Sequence, residues 1–329
     1  MEKLKVFEAF AGFGGASFGL KKAKIPHEIV MFSEWDKWAQ ELFRLNHGQI
    51  PLFGEKGDIN KGDISKIPAF DLFTGGFPCQ PFSSAGMGKG ELDPRGTLFY
   101  PILKIVEYHR PQHILLENVK GMTHRKHLPT LRKIISSLES LGYSVPDPVV
   151  LNSRDFGVPQ NRERLWIYAF HGNLPFGYTH APNPIETGKT FHDYLDPQND
   201  IDVPREMYLS DKQINVLLKK HKMPIEEILS ESESLCLDIY NKKLRKDRVS
   251  ITLTEPHHNS LRVVEHSNCK RGYTVRKLTI KEHYRLMGFS ENQLKQGEQS
   301  YQQLCKRAGN GWDINVASLI FQKVLNTSE

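Results

Sequence analysis

Apolar runs of four to six residues and stretches with helical spacing alternate through the first half of the chain. Residues 5–9 predict a strand, followed by a glycine-rich turn at 11–15 and a short helix. Residues 29–33 predict a second strand, after which Asp36 stands at an N-cap position. Trp38, Leu42 and Leu45 then recur at helical spacing up to Gly48, which suits a C′ residue. Apolar runs at 70–74 and 113–117 end in polar loops, and residues 98–109 between them have a helical pattern. Leu131, Ile134, Ile135, Leu138 and Leu141 mark a helix stopped by Gly142, and 165–170 predicts a late strand. This order predicts an α/β fold: a mostly parallel sheet with helices on both faces, and chemistry beyond the carboxyl ends of its strands.

The texture changes after about residue 171, a boundary placed by composition rather than periodicity. Residues 171–202 are rich in Pro, Gly, Asn and Asp. Residues 241–248, NKKLRKDR, hold five basic side chains in eight. Helical character returns at 276–289, and 316–325 reads as a closing helix. A second, smaller part of irregular or β structure is expected. The expected division is a catalytic and cofactor-binding domain at 1–175, completed by 300–329, and a target-recognition domain and hinge at 176–299.

Composition narrows the class without choosing it. The 329 residues are 39% hydrophobic and 25% charged, as in an ordinary globular protein. The net charge of +6 permits a polyanionic partner without requiring one. Cys79, Cys236, Cys269 and Cys305 form no CxxC pair, so neither a zinc site nor a disulfide framework is expected, and a reducing compartment is. No apolar run approaches the roughly 20 residues that span a bilayer, and the chain enters its first strand with no room for a signal peptide. A cytoplasmic protein, nucleoid-associated when bound to DNA, is the expectation.

Four polar clusters follow predicted strands. Gly12, Gly14 and Gly15 allow a ligand close to the backbone, although such a turn is equally often only a turn. Glu34, at the end of the second strand, is placed to accept bonds from ribose hydroxyls; the alternative is a solvated Glu34 beside a capping Asp36. A lone cysteine is usually a core thiol, but Cys79 lies in GGFPCQPFS, between prolines. The glycine-rich segment after it, 84–96, suits a lid. Glu117 ends the apolar strand HILLE, where desolvation raises a carboxyl pKa and suits it to donate a proton. Arg162 and Arg164, two apart in QNRERL, point to one face if that segment is extended. An ordinary structural ion pair is the alternative for these last residues.

Taken in order, FEAFAGFGG, SEWD, GDI, GGFPCQPFS, DPRGTLF, ENVKG, QNRERL, RKLTIKEHYRLMGF and a terminal AGN resemble the cytosine-C5 DNA methyltransferase family of bacterial restriction-modification type. The matches run from residue 5 to 317, apart from the middle of the second half. The resemblance implies an S-adenosylmethionine-dependent methyltransferase fold and transfer of a methyl group from S-adenosyl-L-methionine to carbon 5 of a flipped cytosine. It further implies that Cys79 adds to carbon 6, that Glu117 donates to ring nitrogen 3, and that Arg164, with Arg162, contacts the base and positions Glu117. Phe10, Ala11, Gly12, Gly14, Gly15, Glu34, Trp35, Asp58, Ile59, Pro78, Leu98 and Asn310 would form the cofactor pocket. Of the two GDI copies, the first has the family's interval to Cys79, which selects Asp58 over Asp63. Gln80, Ser83 and Ser84 would belong to a lid that meets DNA. Residues 242–248, with Lys270, Arg271, Arg276 and Lys277, could meet phosphates, each charge taken singly being better read as solvated surface.

The chain departs from the family pattern at three places. Glu8 stands where Asp is usual, Gly311-Trp312 replaces a hydroxyl and an aliphatic residue, and His283 replaces a frequent cysteine. Trp312 is bulky enough to alter packing around the cofactor. The implied partner is double-stranded DNA, with no membrane, for a monomer functionally paired with a restriction endonuclease but in no stable complex with it. Two other readings are a tRNA cytosine-C5 methyltransferase, whose branch usually lacks the Gln-x-Arg-x-Arg form, and a non-catalytic DNA-binding relative, which is expected to lose Cys79 or Glu117. Sequence recognition is expected within 172–270, with no side-chain code to read it.

Overall fold

A computed structural model describes residues 2–78, 98–197, 203–221, 233–258, 260–267 and 269–325. The central sheet is built from β1 (Leu4–Ala9), β2 (His27–Ser33), β3 (Leu72–Gly76), β4 (His113–Val119), β5 (Tyr143–Ser144) and β6 (Val149–Asn152), together with a later strand, β8 (Glu163–His171). A short β7 (Gln160–Asn161) precedes β8 and belongs to a separate pairing. The order is β2-β1-β3-β4-β8-β5, with β6 also on β8. The first four strands are parallel, whereas β8 runs antiparallel to β4. The late strand was thus legible as a strand, but periodicity carries no information about its direction.

Alternation along each strand divides two apolar layers. Phe7, Phe73, Ile114, Leu116 and Ile167 face α3 (Phe99–His109) and α4 (Leu128–Ser140), where Ile102, Val106, Ile134 and Leu138 meet them. Val6, Leu72, Leu115, Trp166 and Tyr168 face the other way, onto Leu20 of α1 (Gly15–Lys22) and Ile320 and Phe321 of a terminal helix, Ile314–Leu325. Both faces are buried, which accounts for the continuous apolar runs of the parallel strands. The helix α2 (Lys37–His47) begins where Asp36 accepts from the backbone N–H groups of Trp38 and Ala39 and ends at Gly48, whose φ is 95°.

The second half contains a helix, α5 (Asp211–His221), and an antiparallel sheet. That sheet comprises β9 (Leu235–Asp238), β10 (Lys243–Arg245), β12 (Leu261–His266) and β13 (Tyr273–Arg276), in the order β10-β9-β12-β13. Ile214 of α5 packs with Leu237, Val264, Tyr273 and Val275 beneath it. Between β10 and β12, β11 (Ser250–Ile251) leaves this sheet and pairs in parallel with β7. Helical character at 276–289 contracts to α6 (Ile280–Arg285), started by a capping box of Thr279 and Glu282. A further helix, α7 (Tyr301–Asn310), leads to α8, the terminal helix Ile314–Leu325. Tyr284 and Phe289 pack edge-on against Phe13 of the glycine turn, so residues after the antiparallel sheet share a core with the first half.

Arg276 is fully buried and does not face solvent phosphates as the basic pattern around it suggested. Its guanidinium donates to Glu265 at 2.8 Å and to both oxygens of Glu282 at 2.7 and 2.8 Å, tying β13 to β12 and α6. Thr279 Oγ1 and Arg285 then hold Asp196, from the segment that precedes α5, at 2.8 and 2.6 Å. Removing one member of such a network strands buried charges. Arg276→Met is expected to lower unfolding free energy by roughly 3–5 kcal/mol; urea denaturation checks this, and a loss below about 1 kcal/mol contradicts it. Of the other basic residues, Arg245 pairs with Asp247, Arg248 with Glu233 and Arg271 with Asp211, while Lys242, Lys243, Lys270 and Lys277 are exposed.

Among the described residues, no helix is long and apolar enough to cross a membrane. Cys236, Cys269 and Cys305 are free thiols.

Candidate active site

The carboxyl ends of β1, β2, β3 and β4 open onto a cleft of about 960 Å³, a size suited to a nucleoside-like ligand. Its first wall is the turn after β1. Phe10 has φ 52°, a left-handed conformation that costs a non-glycine residue about 1 kcal/mol and needs support from its neighbours. That support comes from the end of β2 and the residue after it: Ala11 N–H donates to the Ser33 carbonyl at 3.0 Å, and Gly12 N–H to Glu34 Oε2 at 2.8 Å. Phe10 and Gly12 line the cleft. Ala11 and Gly15 instead line a 30 Å³ cavity below it. Gly14 lines neither: it has φ 89° at the start of α1, and a Cβ there would lie 2.1 Å from His47 Nε2.

Glu34 is held twice, since its Oε1 accepts from Asp36 N–H at 2.8 Å while Oε2 takes Gly12. Each oxygen retains a lone pair for a hydroxyl donor. Burial raises the Glu34 pKa, with the two N–H groups and Arg307 opposing. Trp35 beside it is 79% exposed, leaving its indole face open to a planar ring. Asp58 and Ile59 form the facing wall, and Asp63 is not part of it. Gly57, at φ 88°, lets that wall approach: a Cβ would lie 1.8 Å from the Glu34 carbonyl oxygen. Burial alone would raise the Asp36 pKa, but Arg307 at 2.9 Å and the helix N–H groups outweigh it and the net shift is downward. Lys306 joins the same carboxylate at 3.3 Å, so α7 is clamped to the N-terminus of α2 at the cleft rim.

The opposite end of the cleft is acidic and basic at once. Glu117 and Val119 share a face of β4, and the antiparallel register sets Val119 opposite Arg164. Glu117 and Arg164 are therefore diagonal neighbours, with Arg164 Nε 3.0 Å from Glu117 Oε1. Burial raises the Glu117 pKa, more than Arg164 and Arg162 lower it. Asn118, on the alternate face, donates to the Phe77 carbonyl at 2.9 Å and so fixes the chain one residue before Pro78, which lines the cleft. Cys79, Gln80, Ser83 and Ser84 lie outside the described residues.

Arg162 does not join Arg164 in the cleft. Its N–H donates to the Gln160 carbonyl at 2.9 Å, a tight turn that breaks the extended conformation on which a shared face depends. The buried guanidinium instead donates to the carbonyls of Leu253, Gly309 and Gly311 at 3.2, 3.1 and 2.6 Å. Leu98 and Asn310 complete the cleft, together with Glu255, Lys306 and Arg307, which sequence reasoning did not single out. Asp36 is the helix cap that the sequence predicts, and its second role, pairing with Lys306 and Arg307, depends on partners 270 and 271 residues away, where no local pattern reaches.

Two departures from the family pattern have clear settings. Trp312 is not on the cleft wall; it is buried edge-on against Trp166, with ring centroids 4.9 Å apart, and borders the 30 Å³ cavity. Glu8, in the same cavity, accepts from Ala16 N–H at 3.1 Å and from the Ser17 hydroxyl. Burial pushes its pKa up to about 7, against those bonds. A folded-state pKa raised from 4.5 to about 7 gives stability that is present below pH 4.5 and lost as pH rises to 7. Glu8→Gln removes this dependence, so the variant is expected to gain up to about 3 kcal/mol on the wild type across that range. Urea unfolding at about pH 5 and about pH 8 tests it, and parallel changes in both proteins contradict it.

The family model described as C-5 cytosine-specific DNA methylase matches residues 4–326. The chain is 37% identical to Type II methyltransferase M.NgoBI of Neisseria gonorrhoeae, over 95% of this chain and 90% of that one. It is 35% identical to Type II methyltransferase M.HaeII of Haemophilus aegyptius, over 99% and 94%. Among solved structures, S. pombe Dnmt2 methyltransferase superposes with a TM-score of 0.70 at 23% identity, covering 98% of this chain and 99% of that one, which shows a common fold. The chain belongs to the C-5 cytosine-specific DNA methylase family.

Proposed function

We propose that the protein transfers a methyl group from S-adenosyl-L-methionine to carbon 5 of a cytosine in a specific duplex DNA sequence, through a transient bond between Cys79 and carbon 6. The observation that carries this reading is a buried carboxyl, Glu117, paired with Arg164 at 3.0 Å in the same cleft as Glu34, Trp35 and Asp58. A proton donor and a nucleoside cradle facing one space fit methyl transfer to a base. S-adenosyl-L-methionine supplies the electrophilic methyl group that carbon 5 takes up. Phe10, Gly12, Glu34, Trp35, Asp58, Ile59, Pro78, Leu98 and Asn310 would hold it, with Glu34 oriented for ribose hydroxyls and Trp35 open to adenine.

Carbon 5 of cytosine is a weak nucleophile. Addition of the Cys79 thiolate to carbon 6 converts carbon 5 to an enamine-like centre. Glu117 donates a proton to nitrogen 3 as charge develops there, and Arg164 holds that carboxyl and contacts the base carbonyl. Loss of the carbon-5 proton and expulsion of Cys79 restore the aromatic ring. A stacked base cannot reach this cleft, so the cytosine must swing out of the duplex at a cost of a few kcal/mol. Arg162 acts behind the site by fixing the backbone at 309–311. The relatives named as Type II methyltransferases support pairing with a restriction endonuclease.

Bisulfite sequencing of plasmid DNA from cells producing the protein tests the reading. Protection of one cytosine in a single recurrent sequence is expected. Methylation confined to tRNA would replace DNA as the substrate, and no modified cytosine in either would overturn the reading.

A further inference from the structure

Glu255 belongs to no sequence motif and comes from the half of the chain expected to read DNA, yet it lines the cleft beside Asn310. We propose that Glu255 is a positioning residue for the methyl donor: its carboxylate fixes the Asn310 side chain, so the second half of the chain completes the cofactor wall. This inference rests on reading the cleft as the S-adenosyl-L-methionine site.

Asn310 ends α7 as an exposed residue. An exposed amide on a turn samples several rotamers, and ordering it on ligand binding weakens affinity. Here Asn310 Nδ2 donates to Glu255 Oε1 at 2.6 Å, a short bond to a charged acceptor across 55 residues of chain. The carboxylate is itself presented from a fixed backbone. Leu253 N–H donates to Gln160 Oε1 at 3.0 Å, and the Leu253 carbonyl takes Arg162 Nη1 at 3.2 Å. The other end of that guanidinium holds the Gly309 and Gly311 carbonyls, so one buried cation anchors both the Glu255 loop and the Asn310 turn. The two backbones also touch: a Cβ on Gly309 would lie 2.6 Å from the Thr254 carbonyl carbon. Loop and turn thus form one rigid unit, and the Glu255–Asn310 bond is its face toward the cleft.

Titration calorimetry of the full chain with S-adenosyl-L-methionine and with its demethylated product tests this. Glu255→Ala is expected to weaken both about tenfold, the value of a hydrogen bond to a charged group. Glu255→Gln keeps an acceptor oxygen and is expected to stay within about threefold of wild type. Asn310→Ala should weaken binding as Glu255→Ala does, and the double variant should be no weaker than either single one. Wild-type affinity in Glu255→Ala or in Asn310→Ala overturns the proposal. So does Glu255→Gln behaving like Glu255→Ala, which would make the charge act on the ligand directly, and so do independent, multiplying losses in the double variant. Failure of the unaltered chain to bind either ligand refutes the cofactor reading itself, a result distinct from all of these.

Discussion

Cys79→Ala is expected to abolish methyl transfer, by more than about 10⁴-fold, while cofactor affinity stays within about twofold of wild type. Carbon 5 of an intact cytosine ring has too little electron density to take a methyl group, and the cradle can hold a donor without a nucleophile being present. The loss should therefore fall on turnover alone. Single-turnover transfer of labelled methyl to DNA, read beside calorimetry, separates the two quantities. Residual transfer within about a hundredfold of wild type would refute covalent activation. Parallel loss of cofactor binding would make residue 79 part of the cradle rather than the attacking group.

Glu117→Gln is expected to lower turnover by about 10²–10⁴-fold, the range for a lost general acid. The amide fills the same space and can still lie near Arg164, but its N–H is too weak an acid to transfer a proton to nitrogen 3. The pH profile adds a sign. Burial raises the Glu117 pKa even though Arg164 and Arg162 oppose it, so the protonated, donating form persists to higher pH than in water. Wild-type turnover should fall as pH rises through that shifted value, and the Gln variant should lack this limb. Relief of the arginine's opposition sharpens the test: Arg164→Ala should move the falling limb to higher pH, because the larger of the two opposing cations is gone. A wild-type profile without a falling limb, or one that Glu117→Gln leaves in place, would assign the proton donor elsewhere.

The sequence displayed the first half of the molecule well because burial on both faces of a parallel sheet writes itself as short apolar runs. The strands around Val6, Leu72 and Leu115 were legible for that reason, and so was the helix capped by Asp36. Strand direction was not, since β8 alternates equally well either way. The antiparallel sheet at 235–276 escaped detail because its strands are only three to six residues long and interrupted by polar turns. At the cleft, Glu34 and Trp35 follow β2 and Glu117 lies near the end of β4, strands that can be read locally, whereas Asp58 sits between two short 3-10 turns and was found only through the family resemblance. Arg162 was misplaced because a spacing of two implies a shared face only in extended chain, and the tight turn at Gln160 removes that condition. Glu255, Lys306 and Arg307 were missed for a different reason. Their partners, Asn310 and Asp36, are remote in sequence, and only the tertiary fold creates those pairings.

The most direct test of the central claim uses duplex DNA in which 5-fluorocytosine replaces the cytosine found protected by bisulfite. Fluorine cannot leave carbon 5 as a proton does, so turnover should stop at the covalent stage. The account predicts a cofactor-dependent protein–DNA complex that survives denaturing electrophoresis, with mass spectrometry placing the nucleotide on the peptide containing Cys79. A verified, methylatable site that yields no such complex, or an adduct on a different residue, would contradict it.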